Sequence, residues 1–288
     1  MGAVEIPVSA AGVSGRTVVL LGAAGGIGAS TADALVRAGA AVVLADARDD
    51  ALHPVVAALA RRGRAIGVVA DVTRAPTLER LREAALDAYG RVDAVVNCAA
   101  ILVPGAPDTL ALHDVTRQIE TNLLGTVLVT RAFLPYFRAR RAGHLLHLAS
   151  LGGIVPMPKE AIYCATKFAV RGFCQALALE LRGTGISVSV VCPDSTNTRQ
   201  LAAEAGPHGS PMSFLSEALD PGAVAAAIVA TLEHPRLEVL VPRGRGWAAR
   251  LLAYAPGVLP WLYPLLERQG RRGQDRFAAA RTAAGARS

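Results

Sequence analysis

Tyr163 and Lys167 stand four residues apart, in a stretch that runs from Ser150 as Ser-Leu-Gly-Gly-Ile-Val-Pro-Met-Pro-Lys-Glu-Ala-Ile-Tyr-Cys-Ala-Thr-Lys. On a helix, that spacing puts both side chains on one face, one turn apart. Ser150 closes an apolar run, His144 to Ala149, which is predicted as a buried strand. A strand end, a loop and a helix start can bring three polar groups to one point. The chemistry that suits them is proton transfer. A phenol titrates near ~10 and is a poor acid or base at neutral pH. One cation at about 4 Å contributes roughly 4 kcal/mol at an effective dielectric near 20. That would lower a phenol by about three units. A tyrosine tuned in this way can give or take a proton near neutrality. A serine hydroxyl can hold the same substrate oxygen. Taken alone, the spacing also fits an ordinary helix face.

The elements that would position these residues alternate. Thr17 to Leu21 is a short apolar run, followed by Gly22-Ala-Ala-Gly-Gly-Ile-Gly28 and a helical pattern from Ala29 to Ala38, stopped by Gly39. Ala41 to Ala45 is a second apolar run, closed by Asp46. Strand, glycine turn, helix and strand with a terminal acid is the arrangement of a dinucleotide fold. The glycines let backbone approach a pyrophosphate at a helix N-terminus. The pattern then predicts helix over Ala51 to Arg62, strand over Ala65 to Ala70 with Asp71 at its end, and helix over Leu78 to Tyr89. Strand follows over Val92 to Val96, then one long helix from Asp114 to Arg138 that contains Asn122 and that Pro135 kinks or ends early. Helix over Tyr163 to Leu181, strand over Ile186 to Cys192, helix over Ala223 to Leu232 and strand over Glu238 to Val241 complete the series. The expected architecture is an α/β fold, a three-layer doubly wound parallel sheet. Residues 1–242 would form one such domain and residues 243–288 a helical, apolar and basic extension.

The chain has 288 residues, 52% hydrophobic and 18% charged, enough for one large domain with a sizeable core. Its net charge is +7, and nine arginines against Glu267 and Asp275 put all of that excess in residues 243–288. The body is neutral, so a nucleic-acid surface there is not expected. Cys98, Cys164, Cys174 and Cys192 have no metal-ligand spacing and read as buried reduced thiols of a cytoplasmic protein. The six histidines form no ligand pair, so no metal site is expected, and His147 reads as a packed core side chain. Met1 to Gly15 lacks a charged start followed by an apolar core, so no signal peptide is expected.

With these residues in hand, the chain resembles the short-chain dehydrogenase/reductase family over roughly Thr17 to Val241. Four motifs fall in the family's order: Gly22-x-x-x-Gly26-Ile27-Gly28, Asn97-Cys-Ala-Ala, Ser150 thirteen residues before Tyr163, and Tyr163-x-x-x-Lys167. Asn122 stands where the family has a fourth catalytic residue. Leu21, Cys98, Ala100 and Asp194 depart from the family pattern. The resemblance implies Tyr163 as general acid and base, with Lys167 lowering its pKa and bonding the nicotinamide ribose. Ser150 would orient the substrate oxygen, and Asn122 would hold a water linking Lys167 to solvent. For the cofactor it implies Gly22, Ala24, Gly26, Ile27 and Gly28 under the pyrophosphate. Asp71, Val72, Asn97 and Ala99 would lie by the adenosine, with Pro193 and Thr198 by the nicotinamide. Asp46 favours NAD over NADP, since a 2′-phosphate there would meet a carboxylate. Arg48 is the weak point of that reading, because it could swing toward a phosphate.

Residues 195–220 would form the substrate lid. Its Leu201, Met212, Phe214 and Leu215 fit a hydrophobic alcohol or ketone such as a sterol, retinoid or lipid, or else simply pack the lid. The expected function is NAD(H)-dependent interconversion of an alcohol with a ketone or aldehyde. The alternatives are an NADPH-dependent ketoreductase of lipid or polyketide synthesis, a non-catalytic dinucleotide-binding regulator, and a membrane-surface scaffold. The resemblance also implies a homotetramer or homodimer through the helices around Asn122 and after Tyr163. The uncharged run Leu251 to Leu266 lies between arginine clusters and is broken by Pro256, Pro260 and Pro264. Residues 243–272 would then either lie on the inner face of a membrane or fold back over the pocket.

Overall fold

Seven short runs rich in Val, Leu and Ala form one parallel sheet, with order β3-β2-β1-β4-β5-β6-β7. The computed structural model describes residues 12–285, so most of the Met1 to Gly15 stretch lies outside the described residues. The strands are β1 (Thr17–Leu21), β2 (Ala41–Asp46), β3 (Ala65–Val69), β4 (Ala94–Asn97), β5 (Gly143–Leu148), β6 (Ile186–Pro193) and β7 (Glu238–Val241). β1, β2 and β4 are buried at every position, the unbroken apolar pattern of a sheet covered on both faces. Helices α1 (Gly26–Arg37), α2 (Asp49–Ala60) and α8 (Pro221–Glu233) bury Leu35, Leu52 and Ile228 against one face. On the other, α3 (Ala75–Tyr89), α5 (Gly125–Arg140) and α6 (Ala161–Glu180) bury Leu78, Phe133 and Val170. The three-layer α/β expectation is met. Strand order reverses at the β1–β4 pair, and there the carboxyl ends of the strands open a crevice.

The single helix expected from Asp114 to Arg138 is in fact three segments. α4 (Leu112–Ile119) passes through a π turn, Glu120–Leu124, into α5. The turn carries one extra residue and aims Asn122 inward. Helix α5 runs on through Pro135 to Arg140, with Phe133 and Phe137 fully buried. Proline removes one backbone donor, and this packing outweighs that loss.

The lid contains α7 (Arg199–Glu204) and a 3-10 turn at Pro211–Phe214, with Thr196 bridged to Leu219. The tail forms α9 (Arg243–Ala253) and a 27-residue α10 (Leu259–Gly285). Of the three prolines expected to break it, only Pro256 lies between the helices. Pro260 is the second residue of α10, where a helix has no use for that N–H. Pro264 lies inside α10. The far half of α10 folds back onto the lid. A side chain at Gly270 or Gly273 would collide with the carbonyls of Pro211 and Phe214. Gln274 Nε2 donates to Glu204 O (3.1 Å) and Gly206 O (2.9 Å), and Phe277 stacks on Phe214 at 5.4 Å. Phe214 therefore packs the lid against the tail.

Candidate active site

A cleft of about 700 Å³ opens at the carboxyl ends of the strands. The turn after β1 begins with Gly22 at φ +73°, a conformation that other residues rarely adopt. A β-carbon at Gly26 would come within 2.7 Å of Thr198 Cγ2, so Thr198 of the lid closes tightly over the turn. Asp46 is 8% exposed and held in place. Its Oδ2 accepts from Ala24 N (3.0 Å) and its Oδ1 from Arg48 N (3.1 Å), while Arg48 Nε approaches Oδ1 at 3.3 Å. Gly22, Ala24, Gly26, Ile27, Gly28, Asp46, Asp71, Val72, Ala99, Pro193 and Thr198 all line the cleft. Bare backbone at a helix start beside a fixed carboxylate fits the pyrophosphate and ribose of a dinucleotide.

Asn97 is the exception. It is buried, and its Oδ1 accepts from Ala99 N (3.1 Å) while its Nδ2 donates to Thr126 Oγ1 (3.3 Å). Its side chain therefore shapes the turn after β4 and does not line the cleft. Asn122 also lies behind the cleft wall. It accepts from Ile101 N (2.8 Å) and donates to Ile101 O (2.9 Å) and Thr166 Oγ1 (3.1 Å). It ties the π turn both to the cleft-lining loop and to α6. All three bonds of its side chain are to protein groups.

Ser150, Tyr163 and Lys167 come together on the cleft wall. Ser150 ends β5 in extended backbone and its hydroxyl caps the next turn by accepting from Gly152 N at 3.0 Å. Tyr163 and Lys167 lie one turn apart on α6, both buried. Lys167 Nζ donates to Leu148 O at 3.0 Å and sits 5.6 Å from the centre of the Tyr163 ring. Burial pushes the ammonium down to about 8, opposed by the thiols of Cys192, Cys98 and Cys174. Here the sequence reading needs correction, because the phenol of Tyr163 is raised, not lowered. Burial is the largest cause, and the carboxylates of Glu204 and Glu160 add to it. Hydrogen bonding to Ser150 and Gln200 opposes the rise without cancelling it. Desolvation of the anion outweighs a lysine whose ammonium is turned to a backbone carbonyl.

Glu160, Gln200, Glu204 and Ser213 also line the cleft and were not anticipated. Glu160 begins α6 just ahead of Tyr163, and Gln200 and Glu204 are one turn apart on α7, a spacing that the sequence does show. Asp194, the departure from the family pattern after β6, pairs with Arg245 of α9 at 2.7 Å and so joins the cleft rim to the tail. His147 is fully buried and bonds Thr130 Oγ1 at 3.2 Å, a core side chain as expected. Cys164, Cys174 and Cys192 are buried thiols, whereas Cys98 is only partly buried and lines the cleft. Among the described residues no group of His, Cys, Asp or Glu has the arrangement of a metal site.

Residues 16–207 match the family described as short chain dehydrogenase. The chain is 40% identical over 199 residues to 1-deoxy-11-beta-hydroxypentalenate dehydrogenase of Streptomyces exfoliatus, covering 68% of this chain and 72% of that protein. It is 30% identical over 230 residues to a ketoacyl reductase of Nostoc, covering 80% and 79%. A short chain dehydrogenase/reductase from Burkholderia phymatum, solved in complex with NAD, superposes with a TM-score of 0.78 at 25% identity, covering 85% of this chain and 95% of that one.

The geometry generates one direct expectation. Tyr163→Phe removes the phenol hydroxyl beside Ser150 and should lower turnover by about 10²–10⁴-fold. Dinucleotide binding, followed by cofactor fluorescence, should survive. Near-normal turnover by a folded Tyr163→Phe protein would rule out the assignment.

Proposed function

Because this chain belongs to the short-chain dehydrogenase family, and is an oxidoreductase on that ground, we propose that it interconverts an alcohol and a ketone or aldehyde with NAD(H). The observation that carries this reading is the convergence of Ser150, Tyr163 and Lys167 on a cleft whose other end is a glycine turn with a fixed carboxylate. The nicotinamide dinucleotide, when bound, supplies or accepts the hydride. The remaining work falls to the chain. Gly22 to Gly28 would hold the pyrophosphate and Asp46 the adenosine ribose. Ser150 orients the substrate oxygen, and Tyr163 gives it a proton in reduction or takes one in oxidation. Lys167 keeps a positive charge near the phenol and would bond the nicotinamide ribose. Asn122 is a positioning residue that fixes the π turn against α6.

Asp46 supports NAD over NADP. Arg48, the group that could have met a 2′-phosphate, is drawn onto the Asp46 carboxylate at 3.3 Å. A phosphate there would have to displace that pairing and face the acid. For the substrate we retain a hydrophobic body, supported by Met157 and Leu201 on the cleft wall. Phe214 no longer counts toward it, being stacked on Phe277. Steady-state assays of hydrophobic secondary alcohols with NAD and NADP side by side test both points. The expected result is turnover with a kcat/KM at least about tenfold higher for NAD, roughly 1.4 kcal/mol. A preference for NADP would refute the cofactor assignment, and no turnover with any alcohol or ketone would favour a binding role.

A homodimer or tetramer is supported by apolar side chains left exposed on the two helices expected to pair. They are Leu112 and Ile119 on α4, Leu124 in the π turn that follows it, and Phe168 and Leu179 on α6. A monomer mass by light scattering at micromolar concentration would contradict this.

A second reading concerns the tail. No described helix is long and apolar enough to cross a membrane. Yet Trp247, Leu251, Tyr254, Val258, Trp261 and Leu265 are all exposed, with Trp261 at 86%. Arg243 and Arg268 flank this face. We propose that it rests in the interface of an anionic membrane while the far half of α10 clasps the lid. Aromatic and leucine side chains between arginines suit that surface. Full-length protein should float with anionic liposomes and a Trp247→Ser/Trp261→Ser variant should not. Equal, negligible flotation by both would eliminate the membrane reading.

A further inference from the structure

Two carboxyl groups meet under the lid, a few residues from the phenol. Glu160, at the start of the catalytic helix, is 1% exposed, and Glu204, at the end of α7, is 5% exposed. Both line the cleft that holds Tyr163. Ser213 Oγ donates to Glu160 Oε1 at 3.1 Å, and Gln200 Nε2 donates to Glu204 Oε1 at 3.5 Å. Glu160 Oε2 is buried without a hydrogen-bond partner among the described residues, while the Ser210 main chain favours the charged form of the same carboxyl. A bare carboxylate oxygen in that position would be costly, whereas a carboxylic acid donates from it. Glu204 is the neighbour placed to accept, since the two acids act on each other, Glu204 favouring the proton on Glu160 and Glu160 the charge on Glu204.

Arg199 of α7 also lines the cleft but is not among the groups acting on the pair, and two nearby lysines bond main-chain carbonyls. Lys159, held at φ +65°, donates to Pro207 O at 2.9 Å, and Lys167 donates to Leu148 O. The groups acting on the pair are Ser210, Ser213, Gln200 and the two acids themselves, with no arginine, lysine or histidine among them. From α10, Gln274 bonds the main-chain carbonyls of Glu204 and Gly206 and not the carboxyl pair. Two full negative charges in this space would repel without compensation. One shared proton removes the conflict, as in carboxylate pairs that cannot both ionise. One charge then remains, and Gln200 links it to the Tyr163 hydroxyl.

We propose that Glu160 and Glu204 hold one proton between them and act as positioning residues for Tyr163, the remaining negative charge keeping the phenol protonated and biasing the site toward carbonyl reduction at neutral pH. In that direction the phenol proton goes to the carbonyl oxygen as hydride reaches the carbon from the bound dinucleotide, leaving an alcohol and a phenolate. In oxidation the phenolate must form first, and the carboxyl pair opposes it. The proposal rests on Tyr163 being the proton donor. Burial, the largest cause, pushes Glu204 up to about 7 and Glu160 up to about 9. Because both are raised above the unfolded carboxylate value, the folded protein binds more protons than the unfolded chain. The pair's contribution to stability is fully present below that ordinary value and is lost as pH rises through about 7 and about 9.

Two measurements on the full chain test this. The first is thermal unfolding of the protein without cofactor across neutral and alkaline pH. Wild type should lose Tm as pH rises, and Glu160→Gln should flatten that slope. The second is the pH profile of alcohol oxidation and carbonyl reduction. Glu204→Gln should move the rising limb of oxidation to lower pH by about one unit or more, giving about tenfold faster oxidation at neutral pH. Glu204→Asp should retain the wild-type limb. Oxidation limbs that superimpose for wild type and a folded Glu204→Gln protein would overturn the proposal, as would a Tm slope unchanged by Glu160→Gln. Retained turnover in Tyr163→Phe would instead overturn the reading beneath it, so the two failures are distinguishable.

Discussion

A lysine ammonium with 1% exposure and one backbone carbonyl at 3.0 Å is the constraint on which the rest of this site depends. Taking such a charge out of water costs several kcal/mol, and one hydrogen bond does not offset it. The surroundings are built to keep Lys167 where it is. The end of β5 supplies Leu148 O. Gly153 lies so close to the Lys167 main chain that a β-carbon there would be 2.7 Å from its carbonyl oxygen. Asn122 bonds Thr166, the next residue, and so holds the helix that carries the lysine. A fold that tolerates this cost uses the charge, and the group nearest in function is the buried phenol one turn away. That phenol is itself raised by burial, so the site pairs a weak acid with an ammonium that burial has lowered.

The substrate side follows from the same burial. The lid is held from outside, where α10 grips the 3-10 turn through two glycines and Gln274. It is held from inside by Lys159 on Pro207 O and by the bond from Ser213 to Glu160. Glu204 is drawn inward by this clasp. The tail is thus part of the lid's scaffold, and Arg245 on Asp194 ties its first helix to the cleft rim. The exposed apolar face between Trp247 and Leu265 is left over once these contacts are made.

Most of the framework was legible in the sequence. Unbroken apolar runs closed by Asp46, by Asn97 and by Ser150 marked the carboxyl ends of three strands, and a Tyr-x-x-x-Lys spacing can mean little else beside a glycine turn. What escaped had physical reasons. A π turn differs from an α turn by one residue and leaves no periodic trace, so Asn122 was read on an unbroken helix. Pro135 and Pro264 were read as breakers because local propensity was weighed without the tertiary packing that holds both helices. Glu160 and Glu204 lie forty-four residues apart and meet only because the lid folds over α6. The sign of the tyrosine shift depends on burial and on those two acids, and neither is visible before the chain is folded.

The measurement that tests the account most directly is Lys167→Met, comparing stability with turnover. An apolar side chain of similar length removes a buried, weakly compensated charge, so the account predicts a Tm equal to or above that of wild type. It also predicts a loss of turnover of about a hundredfold or more and weaker dinucleotide binding. A variant that keeps near wild-type turnover, whatever its Tm, would show that the buried charge is not there for the chemistry, and would contradict the account.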